Sequence, residues 1–350
     1  MDFQPTEDQQ ALQAATRDLL DGRLGRDRLL ALADGEAFDP ALWRDLAGIG
    51  VFSLRAPAGD GDAALGMAEA ALVFEELGRS LAPGPLVATC LAAGALPGAT
   101  TGELVAGLID LPADPLIAER AAPVLVEHAD ALDVLLTLDD TGVRRLDPEA
   151  LKPDVLTPVA EPLDPLTPLH HAVGLPRGDK IAGPETAQRW RREGTVLTAA
   201  LQAGIALRTT DLAVAYAKER EQFGRPIGSF QAVKHLCADM FARAEVARVA
   251  VYAAAVALDT PDTAPENGGQ PAAVATAKLM AGQAALANTK TCVQVHGGMG
   301  FTWETGVHLF LKRALVLAAS FGTASRHEET LAAALCFQPP ARPSDTRSES

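Results

Sequence analysis

The chain has few aromatic residues and no long uncharged apolar run. Aromatic side chains make up 5% of the 350 residues, although 48% of the sequence is apolar. An apolar fraction supplied mainly by Ala and Leu favours packed helices over sheets. No segment of about 18 residues is both apolar and free of charge, as a transmembrane helix requires. Residues 1–4 also lack the basic region of a signal peptide. We therefore expect a cytoplasmic protein without a membrane span.

Cysteine and positive charge are also scarce. The four cysteines are far apart and form no pair with metal-ligand spacing: Cys90, Cys237, Cys292 and Cys336. We expect them to be small core residues, and no metal site is indicated. The net charge of −15 leaves no basic face for a nucleic-acid backbone. A small phosphorylated ligand is not excluded, because a few arginines can bind it locally.

The most informative stretch, residues 220–231, connects two helical patterns. Its sequence is Arg-Glu-Gln-Phe-Gly-Arg-Pro-Ile-Gly-Ser-Phe-Gln. Apolar and small residues recur with helical spacing before it, from about 184 to 218, and after it as far as 259. The turn between the two helices contains two glycines and a proline, and Ser229 is the expected N-cap of the second helix.

The same turn has the composition of an anion-binding site. The first amides of the second helix lack intrahelical partners, and Arg220 and Arg225 bring two cations close to them. A phosphate suits such a place. An ordinary helical hairpin with solvated arginines has the same composition, so the turn alone does not decide between the two interpretations.

A second stretch, residues 294–301, has the sequence Gln-Val-His-Gly-Gly-Met-Gly-Phe. It follows a helical pattern rich in alanine, and its glycines allow a backbone to approach another group closely. Taken alone, this is a helix C-terminus.

Together, the two stretches resemble the C-terminal helical domain of the acyl-CoA dehydrogenase family in order and spacing. The resemblance implies FAD as cofactor, an acyl-CoA thioester as substrate and an electron-transfer flavoprotein or similar electron acceptor. In that family these motifs reach across a dimer to the pyrophosphate and adenosine of the neighbour's FAD. The corresponding residues here are Arg220, Phe223, Gln231, Gln294, Gly297 and Gly298.

The resemblance and the patterns together predict a mainly α fold in four parts. These are an N-terminal helical domain (1–107), a shortened β domain (108–181), a C-terminal bundle of four or five helices (182–337) and a disordered tail (338–350). Capping patterns at Thr6 and at Asp39-Pro40 begin two of the N-terminal helices. Further helices are expected at 67–77, 85–93, 190–218, 228–259, 271–296, 304–319 and 323–335, and strands at 123–127, 133–138 and 142–146.

The catalytic base of the family is missing from both of its usual positions. The family places a glutamate either directly before the Gly-Thr that starts the last helix, which is Phe321 here, or on the helix before the Arg-x-x-Phe motif, which is Gly194 here. Glu193 is the nearest alternative, although it lies about 100° around the helix from that position. The Thr/Ser loop that contacts the flavin ring is also not recognisable in 108–181.

Other acids and histidines are weaker candidates for a base. Glu304, Glu328 and Glu329 lie where exposed acids are expected at helix ends. His296 and His327 are single histidines on helices, where a solvated or structural role is the more common one.

These observations suggest one subunit of a heteromeric enzyme. The chain resembles the paired α2β2 acyl-CoA dehydrogenases of actinobacterial steroid side-chain degradation, with the glutamate in a second family subunit. Three alternatives stay open: a homomeric enzyme using Glu193, a helical scaffold that binds no flavin, and a different reaction of the thioester such as oxygen-dependent oxidation. Small residues at Gly194, Thr195, Thr198 and Ala199 suggest room for a bulky acyl group.

Overall fold

The structure, a computed structural model, describes residues 5–56, 65–111, 123–147, 155–260 and 269–336. The expected tail at 338–350 and most of the loop expected after Thr260 lie outside these residues. Within them the chain is mainly helical, with two small sheets in its middle third. The predicted fold class is confirmed.

In the N-terminal part, residues 5–56 and 65–111 form five helices. They are α1 (Glu7–Arg23), α2 (Arg26–Asp34), α3 (Pro40–Gly48), α4 (Met67–Arg79) and α5 (Leu86–Ala92). The Thr6 hydroxyl accepts the Gln9 amide, and the Gln9 side chain accepts the Thr6 amide, so the predicted capping box is present. Asp39 likewise caps α3, with proline in its first turn.

Helix α2 was not predicted as a separate helix. It buries only Leu29 and Leu32, and its N-cap is Gly25, which has no side chain to mark the start. A helix this short is marginal in isolation and depends on the contacts of its buried face.

The described residues of the middle third form seven strands. They are β1 (Ala106–Asp110), β2 (Val124–Glu127), β3 (Val134–Asp139), β4 (Gly142–Leu146), β5 (Leu156–Pro158), β6 (Leu169–Ala172) and β7 (Asp179–Ala182). One sheet has the order β1-β3-β4-β7, with β1 and β3 parallel, and the other has the order β2-β6-β5. The three apolar runs predicted as strands correspond to β2, β3 and β4.

The C-terminal part is a bundle of long helices. They are α6 (Pro184–Glu219), α7 (Gln231–Asp259), α8 (Gly269–His296), α9 (Val307–Ala319) and α10 (Ala324–Cys336), and a hairpin of β8 (Glu221–Gln222) and β9 (Arg225–Pro226) joins α6 to α7. The predicted N-cap at Ser229 is wrong. Ile227–Ser229 form a 3-10 turn instead, so α7 begins later and its N-cap is Phe230.

Two glycines bring the N-terminal part against the bundle. A Cβ on Gly78 of α4 would overlap the backbone of Leu201 on α6, and a Cβ on Gly204 of α6 would overlap the backbone of Glu75 on α4. The two helix backbones can therefore approach closely only because both positions lack side chains.

No single helix among the described residues is long and apolar enough to cross a membrane. The helices Val307–Ala319 and Ala324–Ala334 meet the length and composition requirements only as a pair, bent by 49°. No group of three or more His, Cys, Asp or Glu in the described part of the chain could hold a metal ion.

Candidate functional site

The hairpin between α6 and α7 displays an aromatic side chain at its tip. Phe223 is 91% exposed and has a left-handed backbone with φ of 55°. Such a conformation costs a non-glycine residue about 1–2 kcal/mol. The strand pairing of the hairpin and a hydrogen bond from the Ile227 amide to the Arg220 carbonyl, 2.8 Å, hold it in place. Phe223 is therefore presented to solvent by a strained turn.

Two arginines flank this tip. The Arg225 guanidinium lies over the Phe230 ring, with Cζ 4.2 Å from the ring centroid. Arg220 is exposed, and neither arginine forms an ion pair within the described part of the chain. Gln231, the first residue of α7, is also exposed. The hairpin thus carries two exposed arginines that have no ion-pair partner among the described residues.

The glycine motif lies at the C-terminal end of α8. Gly297 has φ of 59°, and a Cβ on either Gly297 or Gly298 would meet no atom within 4 Å. Gln294 is exposed beside them. By contrast, a Cβ on Gly300 would lie 2.6 Å from the Val293 carbonyl oxygen, so that glycine serves internal packing. Gly297 and Gly298 therefore leave an open backbone surface.

A stacked ring pair joins the two motifs. The rings of Tyr216, four residues before Arg220, and His296, directly before Gly297, have centroids 4.1 Å apart and planes inclined by 23°. The Tyr216 hydroxyl also donates to the His296 carbonyl, at 3.5 Å. The end of α6 and the end of α8 are therefore neighbours. The sequence analysis missed Tyr216, because a tyrosine on a helix gives no signal of a distant partner.

His296 and His327 each have a structural partner. The Nδ1 atom of His296 donates to the Cys292 carbonyl, 2.8 Å away, and burial lowers the pKa of this histidine. His327 is buried, and its Nε2 atom donates to the Phe321 carbonyl, at 3.0 Å. Burial also lowers the pKa of His327. These contacts account for both histidines without a role in proton abstraction.

Gly194 and Phe321, the two positions expected for the catalytic base, are in contact. A Cβ on Gly194 would overlap the ring of Phe321, which is half-buried. Phe321 has a left-handed backbone with φ of 53°, followed by Gly322 with φ of 102°. The Phe321 ring therefore fills the space beside Gly194 that a longer side chain would need.

Glu193 lies on the same helix but is engaged elsewhere. It is 6% exposed, and its Oε1 atom accepts a hydrogen bond from Nη2 of Arg55 at 2.7 Å. The Glu193 carboxylate is therefore already occupied by an ion pair with Arg55. Glu304, Glu328 and Glu329 are exposed.

Two family models together match most of this chain. Residues 185–336 match the model of the acyl-CoA dehydrogenase C-terminal domain, and residues 6–103 match that of the N-terminal domain. The acyl-CoA dehydrogenase IpdE2 of Mycolicibacterium smegmatis is 32% identical over 311 residues, which cover 88% of this chain and 93% of the relative.

Two solved structures of paired chains have the same fold. The ChsE4-ChsE5 complex from Mycobacterium tuberculosis has a TM-score of 0.80 and 25% identity, covering 97% of this chain and 100% of the matched chain. The Tcur3481-Tcur3483 steroid ACAD, a G363A variant, has a TM-score of 0.76 and 25% identity, covering 94% of this chain and 98% of the matched chain.

Proposed function

The chain belongs to the acyl-CoA dehydrogenase family of FAD-dependent oxidoreductases, and we propose that it is the subunit of a heteromeric enzyme that lacks the catalytic base. In this proposal the chain completes an FAD site whose flavin ring and thioester are held by a second family chain. The enzyme desaturates the α,β bond of an acyl-CoA thioester. Bound FAD would supply the chemistry of a hydride acceptor for the β carbon, and the base that removes the α proton would belong to the companion chain.

The contact between Phe321 and Gly194 carries this proposal. Both positions that the family uses for a base lack a carboxylate, and the ring at one position covers the other. A carboxylate introduced at 194 would have to displace the ring. The only acid adjacent to these positions on α6, Glu193, is paired with Arg55. In this proposal the chain therefore has no space for a catalytic carboxylate at 194, whereas its hairpin and glycine motifs are exposed and can contact a cofactor.

The residues proposed to hold FAD fit the phosphate end of a dinucleotide. The exposed Arg220 supplies a cation for the pyrophosphate, and the open backbone at Gly297 and Gly298 allows close approach of the adenosine. Phe223 and Gln231 would contact the dinucleotide from the hairpin, and Gln294 from α8. Phe223 is highly exposed in the single chain, which supports the proposal that the hairpin becomes buried only in the assembly.

The solved relatives support a bulky acyl group and a paired assembly. Those with the same fold include a complex of two different chains and a steroid enzyme. We propose a steroid side-chain thioester or a similarly bulky acyl-CoA as the substrate class. An electron-transfer flavoprotein or a similar carrier would reoxidise the flavin.

Co-expression with a family chain that carries the glutamate tests the proposal. We expect flavin to be retained by the complex and not by the lone chain, and thioester dehydrogenation only by the complex. Arg220→Ala in this chain should release the flavin from an intact complex. Arg208→Ala is the matched control, because Arg208 is exposed on the same helix away from the hairpin. Full flavin occupancy and turnover by the lone chain would refute the division of roles.

A further inference from the structure

A second candidate site lies at the start of α9, on side chains that the proposed function does not use. The helix follows Gly306, which has φ of 66°, and no side chain caps its first turn. The first amides of a helix carry partial positive charge and favour an anion. An uncapped helix end is common and does not by itself define a site.

His308, in the first turn of this helix, supplies an independent indication. It is 8% exposed, yet neither ring nitrogen has a hydrogen-bond partner among the described residues. A buried polar group that is left unpaired destabilises the fold, so a hydrogen-bond partner from outside the chain would be favourable here. His308 is the second residue of α9, and side chains on a helix lean toward its N-terminus, so the imidazole lies near the first turn. The Leu309 amide donates to the Gly306 carbonyl at 3.1 Å, which leaves the amides of Val307 and His308 for a ligand. His296 and His327, by comparison, each contact a carbonyl.

Trp303 and Lys312 complete the cluster. The rings of Trp303 and His308 meet edge to face with centroids 4.7 Å apart, and the Lys312 Nζ atom lies 5.5 Å from the centroid of the Trp303 ring. Lys312 is four residues after His308 and therefore shares its face of the helix. It forms no ion pair with any described acid, including the neighbouring Glu304.

We propose that Trp303, His308, Lys312 and the first amides of α9 bind a phosphate group. Lys312 supplies the charge, the amides and the imidazole supply hydrogen bonds, and the indole covers the bound group. Trp303 is 53% exposed, so a flat base attached to the phosphate can also stack on it. The ligand is inorganic phosphate or the phosphate of a nucleotide. The site shares no residue with the hairpin and is independent of the proposed function.

The chain contains its own reporter for this binding. Trp43 and Trp190 are each 3% exposed, so Trp303 is the solvent-exposed indole. We would titrate the full chain, without a companion or flavin, with sodium phosphate and separately with ADP at constant ionic strength, following fluorescence and calorimetric heat. The expected result is a saturable change in emission that is absent from Trp303→Phe. The dissociation constant should rise about tenfold in Lys312→Gln, the loss of roughly 1.4 kcal/mol, and recover in Lys312→Arg.

Comparing ADP with inorganic phosphate shows whether the site binds a nucleotide or a free phosphate group. Tighter binding of ADP than of phosphate, with the difference lost in Trp303→Phe, assigns a nucleotide, and equal affinities assign the phosphate group alone. Glu304→Gln should tighten binding of either one by removing a nearby negative charge. Unchanged affinity in Lys312→Gln overturns the proposal. So does loss of binding in Arg220→Ala, which would place the phosphate at the hairpin, or the absence of any saturable signal.

Discussion

The aromatic ring of Phe321 lies against the backbone of Gly194, so that a methyl group at 194 would overlap it. The two residues are far apart in the chain, and they occupy the two positions at which the sequence analysis expected the family's catalytic glutamate. The strained backbone of Phe321 is held by the hydrogen bond from His327 to its carbonyl. A side chain at 194 therefore requires the ring at 321 to move or to be replaced.

Replacing Gly194 with alanine should therefore destabilise the chain. The added methyl group would overpack the contact with Phe321, a change that typically costs about 1–3 kcal/mol. Part of this cost is offset by the better helix propensity of alanine, worth about 1 kcal/mol. Urea unfolding of Gly194→Ala, of Phe321→Ala and of the double variant would measure the coupling. The penalty of the alanine at 194 should disappear when the ring is absent.

Gly282 provides the control for this experiment. It lies inside α8, and a Cβ there would meet only the Gln202 side chain at ordinary contact distances of 3.6 Å or more. Gly282→Ala should leave stability unchanged or raise it by up to about 1 kcal/mol. Equal effects of Gly194→Ala with and without the Phe321 ring would contradict the packing argument.

The Glu193→Gln variant tests whether Glu193 only forms a structural ion pair with Arg55 or acts as the catalytic base. Because Glu193 is buried with Arg55, breaking the pair should lower the free energy of unfolding by about 3 kcal/mol, and Arg55→Gln should do much the same. The double variant should recover part of the loss. The turnover of the folded, flavin-loaded complex should be unchanged in both single variants. A fall of several orders of magnitude in Glu193→Gln alone, at full flavin loading, would identify Glu193 as the base.

The aromatic ring of Tyr216 should contribute more to flavin retention by the complex than its hydroxyl does. Its hydrogen bond to the His296 carbonyl is long, at 3.5 Å, whereas the stacked rings join the hairpin to the glycine motif. Tyr216→Phe should retain flavin in the complex at the level of the unmodified chain. Tyr216→Ala should weaken flavin retention about tenfold, because the stacked pair contributes about 1 kcal/mol beyond the area that it buries and the motifs lose their alignment. Equal flavin loss in both variants would assign the effect to the hydroxyl.

Glu75 makes stability depend on pH. Burial raises the pKa of this carboxyl, 2% exposed, from 4.5 to about 7, despite the hydrogen bond from Tyr252 and the nearby Arg248. The unfolded chain releases the proton near pH 4.5 and the folded chain only near pH 7, so stability falls as the pH rises between these values. The loss should reach about 3 kcal/mol above pH 7.

Glu75→Gln should remove this dependence. In urea unfolding between pH 5 and pH 8, the variant should gain stability relative to the original chain as the pH rises. Glu76→Gln is the control, because Glu76 accepts 2.6 Å and 2.9 Å hydrogen bonds from Arg17 and gains stability from its charge. That variant should be less stable throughout this range. A constant difference between Glu75→Gln and the original chain from pH 5 to pH 8 would show that Glu75 does not titrate there.

Local signals in the sequence located much of the fold. The capping box at Thr6 and the cap at Asp39 act over three or four residues, so their pattern is complete in the sequence. The long C-terminal helices followed from periodicity. The prediction of Ser229 as an N-cap was wrong because a 3-10 turn of three residues precedes α7. The presence of a capping residue does not specify which type of turn follows it.

The sequence by itself determined the family, the helical character and the residues of the hairpin and glycine motifs. It also led to the prediction that neither expected position of the base carries a carboxylate, because Phe321 and Gly194 are read directly from the chain. Only the tertiary structure decided that Phe321 covers Gly194, that Tyr216 stacks on His296, that Arg55 engages Glu193 and that His308 is buried without a partner. These relationships depend on which distant side chains share a space after packing, and close-packed contacts between helices leave no periodic trace in the chain.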